Sequence, residues 1–146
     1  LGVMAGHTSQ AGRIYFPAGT PDLSDVRPDG VVDLTSSITR ELDEETGLGS
    51  GAYAMEEDWI VVMHDGLTGF MRRLTLPIPA EAARSGILAH LAREEAPELA
   101  DIRIASSPAD IDESAMPGYL KAFLRWSLPP DPPHSGQDVS RDLSGG

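Results

Sequence analysis

The segment that runs from Arg40 to Leu48 contains one arginine and four acids, of which three are glutamates. At about 100° per residue, Glu41, Glu44 and Glu45 fall within one arc of a helix surface. The segment contains no lysine that would pair with them, and like charges at this spacing repel one another. Carboxylate oxygens that converge in this way suit a hard divalent cation such as Mg²⁺. The alternative is a solvated acidic helix that ends at Gly47.

The same segment resembles the second half of the Nudix box, G-x5-E-x7-R-E-U-x-E-E-x-G-U, in which U is a bulky aliphatic residue. Every specified position from the arginine onward is matched, by Arg40, Glu41, Leu42, Glu44, Glu45, Gly47 and Leu48. The resemblance implies a metal-dependent pyrophosphohydrolase that cleaves a nucleoside diphosphate linked to another moiety X. The catalytic residues that it implies are Arg40, Glu41, Glu44 and Glu45. The implied cofactor is Mg²⁺ or Mn²⁺, bound by the three glutamates and the backbone carbonyl of Ala18.

The first half of the box is irregular in this chain. Pro17-Ala18-Gly19 resembles the proline and two glycines with which the box opens, with alanine in place of the first glycine. The pattern puts the arginine 14 positions after the box glycine, whereas Arg40 follows Gly19 by 21 positions, so the loop is seven residues longer. Counted back from Arg40, the box glutamate falls on Val32. The resemblance implies that this glutamate helps to hold the arginine. With valine in its place, the acids available to hold Arg40 are Asp25, Asp29 and Asp33.

The order of apolar and turn residues predicts a mixture of strands and helices. Asp33 is the expected N-cap of a helix from Leu34 to Thr46, with Leu34, Ile38 and Leu42 facing the core. Strands are predicted at 1–4, 13–16, 52–55, 59–63, 70–76 and 102–105, and further helices at 79–95 and 117–128. This order indicates an α/β fold, in agreement with the Nudix-type α/β/α sandwich with a mixed β-sheet that the resemblance implies.

Length and composition indicate one globular domain of ordinary size. We expect residues 1–128 to form the Nudix hydrolase domain, which lacks an N-terminal strand if the chain is a fragment. Residues 129–146, rich in proline, serine and glycine, are expected to be a disordered or extended tail. The chain has no cysteine, no signal peptide and no apolar run of membrane-spanning length, which is compatible with a cytoplasmic protein.

The net charge of −12 bears on the partners of the protein. It argues against nucleic acid, which is bound through lysine and arginine contacts to phosphate. It does not exclude a small phosphorylated ligand, because metal ions can bridge acidic side chains and a polyphosphate. The expected partner is therefore a small-molecule nucleoside diphosphate derivative, without nucleic acid or membrane, and a homodimer is left open.

Other polar residues are secondary candidates. The general base in such a hydrolase is either a helix glutamate or an acid of a late loop, where Asp110, Asp112 and Glu113 are the candidates. Three histidines, His7, His64 and His90, are interpreted as solvent-facing, turn or packed residues. The one basic pair, Arg72 and Arg73, is interpreted as outward-facing, although one of the two is a candidate for a phosphate contact.

Three alternatives stay open on the sequence alone. The first is a Nudix-fold nucleotide-binding or regulatory protein without catalysis, which the apolar Val32 favours. The second is a coenzyme A pyrophosphatase, which residues 7–19 loosely resemble. The third is an acidic α/β domain with no metal site. Other chemistries find no support, since the chain has no P-loop, no G-x-G-x-x-G and no G-x-S-x-G.

Overall fold

The computed structural model describes residues 1–130. In chain order its helices and strands are β1 (Gly2–Met4), β2 (Ile14–Tyr15), α1 (Leu34–Thr46), β3 (Ala54–His64), β4 (Leu67–Thr75), α2 (Ala80–Leu91), β5 (Leu99–Ile102) and α3 (Gly118–Ser127). Two short 3₁₀ turns, Leu23–Asp25 and Pro108–Asp110, lie in the loops. No helix within residues 1–130 is both long and apolar enough to cross a membrane. The tail predicted at 129–146 lies, from residue 131 onward, outside the described residues.

The described chain combines helices with antiparallel sheets, an α+β arrangement that agrees with the predicted α/β class only in this general sense. The predicted mixed sheet is corrected: within residues 1–130 the strands form two antiparallel sheets, β2-β1-β5 and β3-β4. The reason lies partly in the tight turn between β3 and β4. Asp65 and Gly66 both have positive φ, 48° and 78°, and a two-residue turn of this kind returns the chain antiparallel to itself.

Strand β5 begins three residues earlier than predicted. Leu99 and Ile102 are its buried residues, at 2 % and 6 % exposure. Alanine and aspartate separate them, so the apolar residues do not alternate and the sequence hides the strand. Pairing with β1 decides its position, because Ile102 lies opposite Gly2. The predicted strands 52–55 and 59–63 are likewise one strand, β3, with an irregularity in its pairing.

Within residues 1–130, eight of the nine buried apolar residues form two clusters. The first lies between β2 and α3 and consists of Ile14, Met116, Leu120 and Leu124. The second lies between α2 and β5 and consists of Ile87, Leu91, Leu99 and Ile102. Because the second cluster fixes α2 and β5 to each other, it also fixes the segment that joins them, which takes part in the site described below.

Helix α1 has the predicted bounds, Leu34–Thr46, but not the predicted degree of burial. Its apolar residues Leu34, Ile38 and Leu42 are half-buried and belong to neither cluster. The fully buried residues of the helix are Ser37 and Thr46, each at 2 % exposure. The Thr46 hydroxyl donates to the Leu42 carbonyl of its own helix, so its burial leaves no unpaired donor.

The Asp33 carboxylate caps α1, as predicted, by accepting a hydrogen bond from the Ser36 N–H at 3.0 Å. Asp33→Ala should lower the free energy of unfolding by about 1 kcal/mol, because it leaves helix-terminal N–H groups without a side-chain acceptor. Urea denaturation measures the change. Asp33→Asn is the matched control, since asparagine caps about as well as aspartate. Equal losses in the two variants would contradict the capping role.

Candidate functional site

The loop after β2 lies directly against the carboxylates of α1. A Cβ atom added to Gly19 would lie 2.3 Å from Cδ and 2.6 Å from Oε1 of Glu41. Glycine is therefore the residue that fits beside the present Glu41 side chain. Two segments far apart in sequence, residues 17–19 and α1, are thus neighbours in space.

Arg40 joins three carboxylates at the middle of this arrangement. Its Nη1 lies 2.7 Å from Oε1 of Glu41 and 3.5 Å from Oε2 of Glu44. Its Nη2 lies 3.4 Å from Oδ1 of Asp25. The Asp25 side chain is 4 % exposed, whereas that of Glu44 is 62 % exposed. The arginine fork therefore connects one buried acid to two acids of its own helix.

Of the three acids expected to hold Arg40, Asp25 is the one that the structure brings to it. Asp29 pairs instead with Arg27, at 3.0 Å. Asp33 accepts from the backbone at the start of α1. The extra loop is ordered around these acids, because an isolated bridge between residues 26 and 32 closes it into a small hairpin.

Glu45 is the carboxylate with the most perturbed environment near the site. Burial raises its pKa to about 7, with a contribution from three nearby carboxylates, those of Glu98, Glu41 and Glu44. The nearby backbone of Ala18 has the opposite, smaller effect and lowers this pKa. The environment of the Glu45 side chain therefore favours its protonated form more than that of an ordinary glutamate.

A cleft of about 170 Å³ opens beside these side chains. Its lining contains five glutamates and no basic residue, and consists of Glu41, Glu44, Glu45, Leu91, Glu94, Ala96, Pro97 and Glu98. Glu94 and Glu98 come from the segment between α2 and β5, and the sequence did not identify them as site residues. Their one signal was the local density of acids, which does not indicate what an acid faces. The cleft is thus more acidic than the helix alone predicts.

The carboxylates do not converge at metal-binding distances. Among residues 1–130, no group of three His, Cys, Asp or Glu side chains is arranged to hold a metal ion. One reason is that Glu41 and Glu44 face Arg40. The donor set still consists of carboxylate oxygens, the ligands that Mg²⁺ and Mn²⁺ prefer. The residues therefore fit such an ion by their chemistry, and side-chain rotation on a fixed helix would have to bring them together.

The late-loop acids lie in a network of their own. Their partners are backbone N–H groups and side chains of the same region: Ser106 and Ser107 for Asp110, Ser114 and Ala115 for Asp112, and Lys121 and Arg125 for Glu113. The hydrogen bond from Ala115, with those from Ser114, lowers the pKa of Asp112 to about 2. None of the three acids lines the acidic cleft. The structure therefore does not bring them to the predicted site.

The three described histidines lie in the kinds of position that the sequence predicts: packed against another element, beside a turn, and exposed in a loop. His90 Nε2 lies 3.2 Å from the carbonyl oxygen of Glu44, near the end of α1. Its ring is so close to Gly47 that a Cβ there would lie 2.7 Å from Nδ1. His64 ends β3 next to the turn, and His7 is exposed in a loop.

The basic pair on β4 is occupied by protein contacts. Arg72 lies over the Trp59 ring, 5.1 Å from its centroid, and donates to Thr35 Oγ1 at 3.2 Å. Arg73 is half-exposed and lies 3.8 Å from a carboxylate oxygen of Glu56. Neither arginine lines the acidic cleft, so the structure does not support a phosphate contact there.

Arg40 also lines a larger and more open depression of about 450 Å³. The other lining residues are polar, namely Thr35, Ser36, Thr39, Asp43 and Ser50. Hydroxyl groups can both donate and accept hydrogen bonds, which suits the sugar or phosphate of a nucleotide. Arg40 thus contacts acids of the cleft and faces this depression at the same time.

Comparison of the chain with models of protein families, with curated proteins and with solved structures found no match. The residues and their geometry therefore carry the functional interpretation.

Proposed function

We propose that the chain is a Nudix-type pyrophosphohydrolase that cleaves a nucleoside diphosphate linked to another moiety X. The observation that carries the proposal is the close approach of Gly19 to Glu41, where a Cβ would lie 2.3 Å from Cδ. It brings the glycine of one half of the box pattern against a glutamate of the other half, despite the longer loop between them. The Nudix α/β/α sandwich is part of the same proposal, supported by the strand, loop and helix order around these residues.

The groups that would hold Mg²⁺ or Mn²⁺ are the carboxylates of Glu41, Glu44 and Glu45 and the backbone carbonyl of Ala18. The ion, when bound, would neutralise diphosphate charge and lower the pKa of a water molecule. Glu94 and Glu98 line the same cleft and add two further carboxylates. An all-carboxylate cleft binds a diphosphate poorly by itself, because both are negative, so the proposal requires the ion for substrate binding.

Residues of the chain also supply proton transfer and orientation. Glu45 would serve either as a ligand of the ion or, when it is not bound to the ion, as the general base, because in the cation-free protein its pKa of about 7 is close to the working pH of most enzymes. Arg40 would orient Glu41, whose oxygen lies 2.7 Å from the guanidinium. The open depression beside Arg40 is the proposed place for the nucleoside part of the substrate, because its hydroxyl groups can hydrogen-bond a sugar.

Gly19→Ala tests the close approach on which the proposal depends. The added methyl group should displace the flexible Glu41 carboxylate and weaken Mn²⁺ binding roughly 10-fold, with little loss of stability. Isothermal titration with Mn²⁺ and thermal unfolding measure the two effects. Gly51→Ala is the matched control, since a Cβ at residue 51 meets nothing within 4 Å. Equal Mn²⁺ affinities in the two variants would count against the site.

A nucleotide-binding protein without catalysis is the second candidate. It is favoured by the fact that, within residues 1–130, no three acidic side chains are arranged to hold a metal ion. Such a protein would bind a nucleotide through the depression beside Arg40 and leave the diphosphate bond intact.

A substrate screen separates the two candidates. The purified full chain is incubated with Mg²⁺ or Mn²⁺ and with nucleotide sugars, dinucleoside polyphosphates, nucleoside triphosphates and coenzyme A, and the products are identified by mass spectrometry. The proposed hydrolase should release a nucleoside monophosphate or the equivalent phosphate ester, and chelation by EDTA should stop the reaction. Nucleotide binding without any product would favour the second candidate and reject the hydrolase.

A further inference from the structure

Asp25 is a buried acid within the longer loop. It is 6 % exposed, although the residues on both sides of it in the sequence are exposed. A buried carboxylate must be hydrogen-bonded or paired, because its removal from water is unfavourable. Its partners therefore indicate the reason for its burial.

Three contacts hold Asp25. Its carboxylate accepts a hydrogen bond from the Asp22 N–H at 2.9 Å, within the capping box of the 3₁₀ turn. The same carboxylate faces Arg40, whose Nη2 lies 3.4 Å and 3.5 Å from its two oxygens. Its backbone carbonyl accepts from the Asp33 N–H at 2.7 Å. One residue thus ties the loop both to the N-cap of α1 and to a side chain two turns further along the helix.

The two ends of the Arg40 fork have different neighbours. Nη1 faces Glu41 and Glu44, whereas Nη2 faces Asp25. Since a guanidinium is planar and rigid, a contact at one nitrogen limits the orientation of the other. Glu44 is largely exposed and free to change its rotamer, so the buried Asp25 is the more fixed of the partners.

We propose that Asp25 is the positioning residue for Arg40, in place of the glutamate that the box pattern would put at position 32. Through Arg40, it holds the Glu41 side chain beside Gly19. This inference rests on the proposed function only in what Arg40 and Glu41 do for a substrate. According to this proposal, the longer loop is a folded element that positions the buried Asp25 next to Arg40.

The test compares Asp25→Asn with Asp29→Asn in the full, ¹⁵N-labelled chain. Both substitutions remove one charge from the same loop, but Asp29 contacts Arg27 and not Arg40. The Arg40 Nε–H resonance, assigned by its loss in Arg40→Lys, should shift in Asp25→Asn and stay in place in Asp29→Asn. Mn²⁺ binding should weaken roughly 10-fold in Asp25→Asn alone. Thermal unfolding of both variants shows the temperature range in which each is folded.

An unchanged Arg40 resonance in folded Asp25→Asn overturns the inference, because a purely structural role would lower stability without altering that signal. If Asp25→Asn does not fold, Asp25→Ser takes its place, because the hydroxyl can still accept from the Asp22 N–H but offers no carboxylate to Arg40, and a shifted or unshifted Arg40 resonance decides in the same way. The resonance does not depend on activity. A wild-type chain that hydrolyses no diphosphate would therefore reject the proposed function while the comparison of the two variants still decides the role of Asp25.

Discussion

Glu45→Gln should lower the rate of diphosphate hydrolysis roughly 100- to 1,000-fold at pH 8 and saturating Mg²⁺. Glutamine has nearly the same shape as glutamate, but it accepts no proton and carries no charge for a cation. The position is partly buried beside Glu98 and Glu41, so water cannot simply replace the lost carboxylate. Steady-state kinetics on the substrate found by the screen measure the loss.

Glu95→Gln is the matched control for this substitution. Glu95 is exposed, lies in the acid-rich segment after α2 and does not line the cleft. Glu95→Gln removes the same charge from the same neighbourhood, which makes it a matched control. It should keep the wild-type rate, because Glu95 does not line the cleft. A Glu45→Gln variant that also keeps the wild-type rate would remove Glu45 from the catalytic residues.

The same Glu45→Gln substitution should stabilise the fold at pH 8 by about 2 kcal/mol in the presence of EDTA, after allowance for partial solvent exposure. The folded protein retains the Glu45 proton up to about pH 7, whereas the unfolded chain releases it near pH 4.5. The folded state therefore binds more protons between these values. The contribution of this one group to stability is therefore greatest below pH 4.5 and is lost as the pH rises through 7.

Urea denaturation of wild type and Glu45→Gln at pH 4.5 and pH 8 tests this pH dependence. The two proteins should have similar unfolding free energies at the lower pH and should differ at the higher pH, with the variant more stable. Glu95→Gln should show no such difference. A variant that is less stable than wild type at pH 8 would show that the Glu45 carboxylate is held by favourable contacts rather than by its position in the fold.

Loss of activity together with a gain in stability is the pattern of a carboxylate that serves function at a cost to folding. Repulsion among the cleft glutamates destabilises the protein when no cation is bound, and a bound cation would reverse that effect. A solvated acidic helix would behave differently, because substitution of one exposed glutamate changes neither property by much.

Much of the secondary structure could be predicted because its signals are local. Helix α1 has the predicted bounds since Asp33 caps its start and Gly47, with φ of 69°, ends it. The turn at Asp65 and Gly66 was readable for the same reason. Strand β5 was misplaced because its apolar residues do not alternate, and only its pairing with β1 determines where it lies.

Some features of the site also depend on local sequence, and others depend on contacts between distant residues. The sequence alone determined which side chains of α1 share a face, because helical periodicity puts Glu41 and Glu45 side by side. Tertiary structure decided which acids join them and what holds Arg40. Glu98 reaches the cleft because α2 and β5 pack together, and Asp25 reaches Arg40 because the longer loop folds back on the helix. Contacts between residues far apart in the chain depend on packing, which no local pattern of residues encodes.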